Sequence, residues 1–127
     1  MLASAQAAGL AGFDRARLGP HAAALLDELR RAAAADMPLT VTVLAATLVD
    51  VVAHEQAGPA GVIDGVDFAY AGNKAALGWL RGRRNTILHH EGPADGLMGE
   101  GDAGAWQWQD ANRAVEALLG YLEDLTD

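Results

Sequence analysis

The sequence has no cysteine. Disulfide bonds, cysteine-ligated zinc, iron–sulfur clusters and thiol catalysis are therefore excluded. Aromatic residues make up only 6% of the chain, so we expect most of them to be used in the core or in an interface. The patterns G-x-x-x-x-G-K-S/T and G-x-S-x-G are both missing, so neither a P-loop nor a hydrolase nucleophile elbow has support.

Long hydrophobic runs are also missing. The most apolar segment, 39–53, is interrupted by three threonines and Asp50 and falls short of the about 18 apolar residues that a membrane helix needs. The first residues lack the positive charge and the strongly apolar stretch of a signal peptide. We therefore predict no membrane span and a cytoplasmic location.

Small residues are abundant instead. The 127 residues include 28 alanines and 15 glycines. Alanine is the best helix former and lets helices approach closely, so this composition predicts a helical protein. The length is that of one domain, which we assign to residues 1–127.

The net charge of -8 is confined to one part of the chain. Residues 1–90 hold eight acidic and eight basic residues, whereas residues 91–127 hold nine acidic residues and a single base, Arg113. A uniformly basic nucleic-acid-binding surface is excluded, and a polyanion would need a local basic patch. The segment 68–90 offers one, because it holds four bases and no acid. It either neutralises the acidic segment inside the fold or forms an anion site.

Apolar residues repeat at helical spacing in most of the chain. The predicted fold is all-α, an up-and-down bundle of four main helices plus a short N-terminal helix. In segment 38–56 heavy β-branching competes with the helical repeat, and the alternative is an α+β fold with a strand over 39–52. A lone strand has no partner, which favours the helix. Asp36 is the expected N-cap of that helix. The predicted helices are 3–16, 21–35, 38–56, 67–89 and 105–125.

The segment Leu80–Glu91 carries the clearest chemical signal. It joins an arginine cluster to two histidines, His89 and His90, through a short aliphatic spacer. Arginine presents a permanently charged fork that matches phosphate oxygens, and histidine transfers protons near neutral pH. Together they suffice for phosphodiester cleavage without a metal. Histidine would act as general base or acid, and arginine would stabilise the negative charge that builds on the phosphorane.

The string Arg84-Asn85-Thr86-Ile87-Leu88-His89 resembles the R-N-x-x-x-H form of the Rx4-6H motif of the HEPN superfamily. Members of this superfamily are small helical bundles in which the motif precedes a variable loop and a final helix. The layout of residues 21–125 is similar. The resemblance implies a metal-independent endoribonuclease that needs no cofactor. It also implies a homodimer, RNA as substrate and an antitoxin or other protein as partner.

The resemblance assigns roles to individual residues. Arg84 would stabilise the transition state, His89 would be the general acid or base, and Asn85 would orient them. Arg81, Arg83 and His90 would contribute to binding, and the spacing also allows His90 to replace His89. Toxin members that are modified by a nucleotidyltransferase antitoxin often carry a tyrosine where this chain has Glu91. This departure argues against such modification here.

Structural roles compete with these assignments. Arg84 could neutralise Asp95 or Asp102, and a histidine at a helix C-terminus can stabilise the helix dipole. Asp50 and His54 have the spacing of a pair on a helix surface. No H-E-x-x-H or E-x-x-H pattern occurs, so no metal site is predicted. The alternative function is a non-catalytic HEPN-like dimerisation or partner-binding module.

Overall fold

A computed structural model describes residues 1–57, 62–63, 66–67, 72–92, 94, 96–99 and 101–126. The fold is an all-α helical bundle, as predicted. Two short strands, Val62–Ile63 (β1) and Val66–Asp67 (β2), form an antiparallel pair in which Val62 lies opposite Asp67. The helices are α1 (Ser4–Gly12), a 3₁₀ helix (Arg15–Arg17), α2 (Pro20–Ala34), α3 (Pro38–Ala57), α4 (Lys74–His89) and α5 (Ala103–Thr126).

The N-terminal piece ends earlier than the predicted 3–16. Helix α1 stops at Gly12, and the 3₁₀ helix follows after Asp14, whose carboxylate accepts a hydrogen bond from the Ala16 amide. The Arg30 guanidinium of α2 donates to the carbonyls of Leu10 and Phe13, at 2.8 and 2.6 Å. Carbonyls at a helix end lack partners within the helix, so Arg30 both satisfies them and joins α1 to α2.

Helix α2 begins at Pro20, where the fixed φ of proline suits the first turn. Gly19, in the N-cap position, has no side chain with which to cap the helix. The carboxylate of Glu55, from α3, accepts hydrogen bonds from the amides of His21 and Ala22 at 3.1 and 2.7 Å. A side chain distant in sequence therefore does what a local N-cap residue usually does.

Segment 38–56 is a helix, and the strand alternative is wrong. In α3, the hydroxyl of Thr47 donates to the Val43 carbonyl at 2.9 Å, so this polar group is satisfied within the helix. Asp36 is not the N-cap, because the helix starts at Pro38. Asp36 instead lies in the left-handed region with φ 62°, and its carboxylate accepts a hydrogen bond from Trp108 Nε1 at 2.9 Å.

Helix α4 starts seven residues later than the predicted 67, at Lys74. Asn73 is its N-cap, and the Asn73 side-chain oxygen accepts a hydrogen bond from the Ala76 amide at 3.0 Å. Gly72 adopts φ 73°, a conformation that ends any helical path leading into Asn73. Tyr70, which falls within the predicted helix 67–89, lies outside the described residues.

The core lies between α3 and the helices packed around it, α2, α4 and α5. Many of its buried residues are alanines, which lets the helix backbones come close together. Helix α5 buries Ala111, Val115, Leu118 and Leu122, whereas Trp108 and Leu119 remain half-buried. Fully buried members of the core include Ala22, Leu26, Leu29, Val41, Ala45, Leu48, Leu80, Ala111, Val115, Leu118 and Leu122.

Within the described residues one helical stretch, Pro38–Glu55, is long and apolar enough to cross a membrane, with a mean hydropathy of 1.3. The prediction of no membrane span rested on the polar residues that interrupt this segment, whereas a mean hydropathy averages over them. The core helix of a folded domain passes the same test, and α2, α4 and α5 all pack on α3. Length and composition alone are thus weak evidence for a membrane helix here.

Candidate functional site

Helix α4 carries all of the residues that the motif singles out. Its last residue is His89, and His90 closes it in the left-handed conformation with φ 56°. The His90 amide donates to the Thr86 carbonyl at 3.0 Å. The Thr86 hydroxyl lies 2.6 Å from the Glu91 carbonyl and 3.1 Å from the Gly82 carbonyl. With a single proton it donates to one of them, and the shorter contact fixes the chain just beyond the helix.

Arg84 faces α3 and forms an ion pair there. Its Nη1 lies 2.6 Å from Oδ2 of Asp50, and Nε of Arg81 approaches the other carboxylate oxygen at 3.5 Å. The Arg84 side chain is 21% exposed and that of Asp50 34%, so the cluster opens to solvent on one side. Pairing with an acid was one of the alternatives for Arg84, but the acid is Asp50. Asp95 lies outside the described residues.

Arg83 points to the other neighbour, α5. Its Nε lies 2.6 Å from Oδ2 of Asp110, and the two side chains are only 12% and 13% exposed. The indole of Trp79 lies beside this pair, with the Arg113 guanidinium 4.1 Å from its ring centroid. This ion pair supports the interpretation that the basic segment neutralises part of the acidic one, since Asp110 belongs to the acidic C-terminal third.

His89 and His90 are both exposed at the end of α4. A five-residue step along an α-helix turns by about 500°, which leaves Arg84 and His89 about 140° apart around the axis. Gly78 and Gly82 lie on the same exposed side as His89, and a Cβ added to either would meet nothing within 4 Å. Within the described residues of a single chain, the side chains of Arg84 and His89 therefore do not meet.

Asn85 lies between these two sides of the helix and is half-buried. It lines a cavity of about 390 Å³ together with Trp79, Gly82, Arg83 and Thr86, and Glu91 and Gly92 complete the wall. The structure thus places Asn85 and Arg83 in one cavity, Arg84 and Arg81 on Asp50, and the two histidines at the open end of the helix. The six predicted residues occupy three adjoining places on α4 and at its C-terminal end.

Comparisons of this chain with protein-family models, with curated proteins and with solved structures found no significant match.

Asp50 is a site residue that the sequence reasoning did not assign to the site. It was noted only as a polar interruption of α3 and as the partner of His54. His54 Nδ1 does contact Asp50, but at the backbone carbonyl, 2.7 Å away, so this nitrogen carries the proton. The Asp50 carboxylate remains available to the two arginines. An acid within the apolar segment 39–53 was the available signal.

No three histidine, aspartate or glutamate side chains come together to hold a metal ion in the described ranges. The metal-free and cofactor-free character of the site stays a prediction.

Tyr121 of α5 carries a buried hydroxyl near the Asp50 cluster. Within the described part of the chain this oxygen has no hydrogen-bond partner, and the residue is 2% exposed. Burial raises the pKa of Tyr121 above its ordinary value of 10.0; the charge of Arg81 acts to lower this pKa and that of Asp50 to raise it. The phenol is therefore a neutral group inside the core.

Replacing Tyr121 with phenylalanine is expected to raise the free energy of unfolding by about 1 kcal/mol, because an unsatisfied buried hydroxyl is removed. The raised pKa gives a second expectation. Unfolded chains lose this proton near pH 10, so the wild type loses stability as the pH rises above 10, and the variant lacks this contribution. Urea titrations at pH 7 and pH 10.5 measure both effects. A less stable variant at pH 7 would show that the hydroxyl has a partner.

Proposed function

We propose that this chain is a HEPN-like, metal-independent endoribonuclease that acts through Arg84 and His89 in the cleft of a homodimer. The observation that carries the proposal is the arrangement at α4. An arginine is held by a carboxylate at a solvent-accessible position, and a histidine stands exposed five residues later at the end of the same helix. Arginine and histidine are the two groups that metal-free phosphodiester cleavage needs.

Asp50 has a definite role in this proposal. It uses one oxygen for each arginine, so it fixes the direction of Arg84 while other guanidinium N–H groups stay unengaged by it. Two arginines and one carboxylate leave the cluster with a net charge of about +1. A phosphate that approaches from the solvent side meets a positioned positive charge, which stabilises the pentacoordinate transition state.

The helix geometry supports the proposed dimer. Arg84 and His89 of one copy point about 140° apart, so a second copy is needed to complete the site. The side of α4 that carries His89 also carries Gly78 and Gly82, whose missing side chains let another helix approach closely. We infer that α4 lies at the two-fold interface and that the Arg84 and His89 that act together come from different copies.

The test is cleavage of a mixed RNA pool in the presence of EDTA. The variants Arg84→Ala and His89→Ala are each expected to lower the cleavage rate at least about 100-fold, by loss of transition-state stabilisation or of proton transfer. His90→Ala decides which histidine acts. Arg31→Ala, an exposed arginine on α2, is the matched control and should cleave like the wild type. Absence of cleavage, or equal cleavage by all variants, overturns the enzyme.

A second candidate is a non-catalytic dimerisation or partner-binding module, which would contain the same helices without the reaction. The ion pairs favour it, because Arg83 and Arg84 both already have carboxylate partners. Light scattering and an RNA titration at low salt separate the two functions. A stable dimer without RNA affinity favours the module, and a monomer counts against both. We further propose, as part of the nuclease proposal, that the protein has an antitoxin or another protein as partner and that it is cytoplasmic.

A further inference from the structure

A second cavity, of about 510 Å³, lies along α5 and shares Arg83 with the cavity that contains Asn85. Its volume falls in the range of small-molecule sites, about 300–1,000 Å³. Its wall includes the side chains of Trp106, Gln109, Arg113 and Glu116. The cavity therefore adjoins the proposed catalytic motif but contains neither Arg84 nor His89.

Trp106 is the most exposed aromatic residue in the described chain, at 49%. Its indole is nevertheless held in place. Gly96, with φ 90°, packs against the ring so closely that a Cβ there would lie 3.1 Å from Trp106 Cδ1. The same turn is attached to α5 by Gln107 Nε2, which donates to the Leu97 carbonyl at 2.7 Å, and Leu97 is buried. The chain thus supports one edge of a flat aromatic ring and leaves the rest open to solvent.

The charges around this cavity balance. Arg83 and Arg113 are matched by Asp110 and Glu116, and Arg83 is already paired with Asp110. A phosphate would face two carboxylates here, so the cavity suits a neutral ligand. Gln109 and Glu116 are both exposed at its wall and offer an amide and a carboxylate, which hydrogen-bond to the edges of nucleobases.

We propose that this cavity binds one nucleobase of the RNA strand, stacked on Trp106, on the α5 side of the α4 motif. The proposal rests on the proposed function, since it adds a base-binding subsite for the same substrate. Arg83 forms the wall common to both cavities, whereas Arg84 faces α3, so the bound base belongs to a nucleotide that flanks the reacting one. Stacking on an aromatic ring tolerates every base, while Gln109 and Glu116 favour bases with matching edges.

The experiment measures binding without cleavage. The probe is a fluorescein-labelled RNA hexamer with 2′-O-methyl riboses, which removes the 2′-hydroxyl nucleophile, at low salt in EDTA. Trp106→Ala is expected to weaken binding between about 5-fold and 100-fold, whereas Trp106→Phe keeps most of the affinity. The salt dependence of binding should stay the same, because no phosphate contact is lost. Met98→Ala, equally exposed in the neighbouring turn but outside the cavity wall, is the matched control.

The outcomes separate this inference from the nuclease. Binding that depends on Trp106, without cleavage of ordinary RNA, supports the base subsite and overturns only the enzyme. Cleavage that is unaffected by Trp106→Ala, with binding equal to that of Met98→Ala, overturns only the subsite. A wild type that does not bind the hexamer at all overturns the subsite as well, whether or not the α4 motif has another use.

Discussion

Replacing Asp110 with alanine is expected to lower the free energy of unfolding by about 3–5 kcal/mol. Asp110 lies 2.6 Å from Nε of Arg83, and neither side chain is more than 13% exposed. Removing the carboxylate takes away the counter-charge that Asp110 supplies to a mostly buried guanidinium beside Trp79. The cost comes from the burial of that guanidinium, which Asp110 no longer offsets, more than from the lost attraction. Urea denaturation followed by circular dichroism measures it.

The control is another arginine–aspartate pair, on the surface. Arg15 and Asp27 form a similarly short contact of 2.8 Å, but their side chains are 52% and 36% exposed. Asp27→Ala should therefore cost no more than about 1 kcal/mol. The double variant Arg83→Met with Asp110→Leu should recover most of the stability, because it removes both charges and keeps the volume. A cost for Asp110→Ala as small as that for Asp27→Ala would contradict the burial argument.

The helical architecture could be predicted from the sequence. Composition and helical spacing were enough for the all-α bundle, and the length of segment 38–56 correctly outweighed its β-branching. Ala111, Val115 and Leu118 recur at the spacing of one helix face, whichever helix packs against that face. Helical periodicity is a local property of the sequence, so it can be predicted without knowledge of the tertiary contacts.

The predicted start of α4 was wrong for a local reason. The apolar repeat continues backwards through Tyr70, but the Asn73 side chain accepts a hydrogen bond from the Ala76 amide and Gly72 takes a positive φ. Asparagine is among the best N-cap residues, so capping should have been weighed above periodicity here. At Asp36 the opposite occurred, because a favourable N-cap residue lies one position too early and bonds to Trp108 instead.

The partners of the site residues could not be predicted. The structural alternative for Arg84 named Asp95 and Asp102, which are close in sequence, yet its partner Asp50 is 34 residues away on another helix. That contact depends on how α3 and α4 are rotated against each other, which the packing of the whole core sets. The motif therefore indicated which residues to consider, while their separation into an Asp50 cluster, an Asn85 cavity and an exposed helix end required the fold.

The capping of α2 by Glu55 depends on the same long-range packing, and it leads to the second large effect. Glu55→Ala removes two hydrogen bonds between a carboxylate and the backbone amides of His21 and Ala22. Glu55 is exposed and acts as an N-cap, a contact that contributes about 0.5–2 kcal/mol, so we expect a loss of about 2 kcal/mol. Glu28→Ala, an exposed glutamate within α2, is the control and should change little.

Gly19 provides an independent check from the other side of the contact. A Cβ at Gly19 would lie 2.6 Å from Oε2 of Glu55, so Gly19→Ala must displace the capping carboxylate. Because both substitutions remove the same two hydrogen bonds, the double variant should be scarcely less stable than Glu55→Ala alone. Thermal and urea unfolding of the wild type, the two single variants and the double variant give the coupling free energy between Gly19 and Glu55. Strictly additive losses would mean that Glu55 does not cap α2 and that the helix start is held by Pro20 alone.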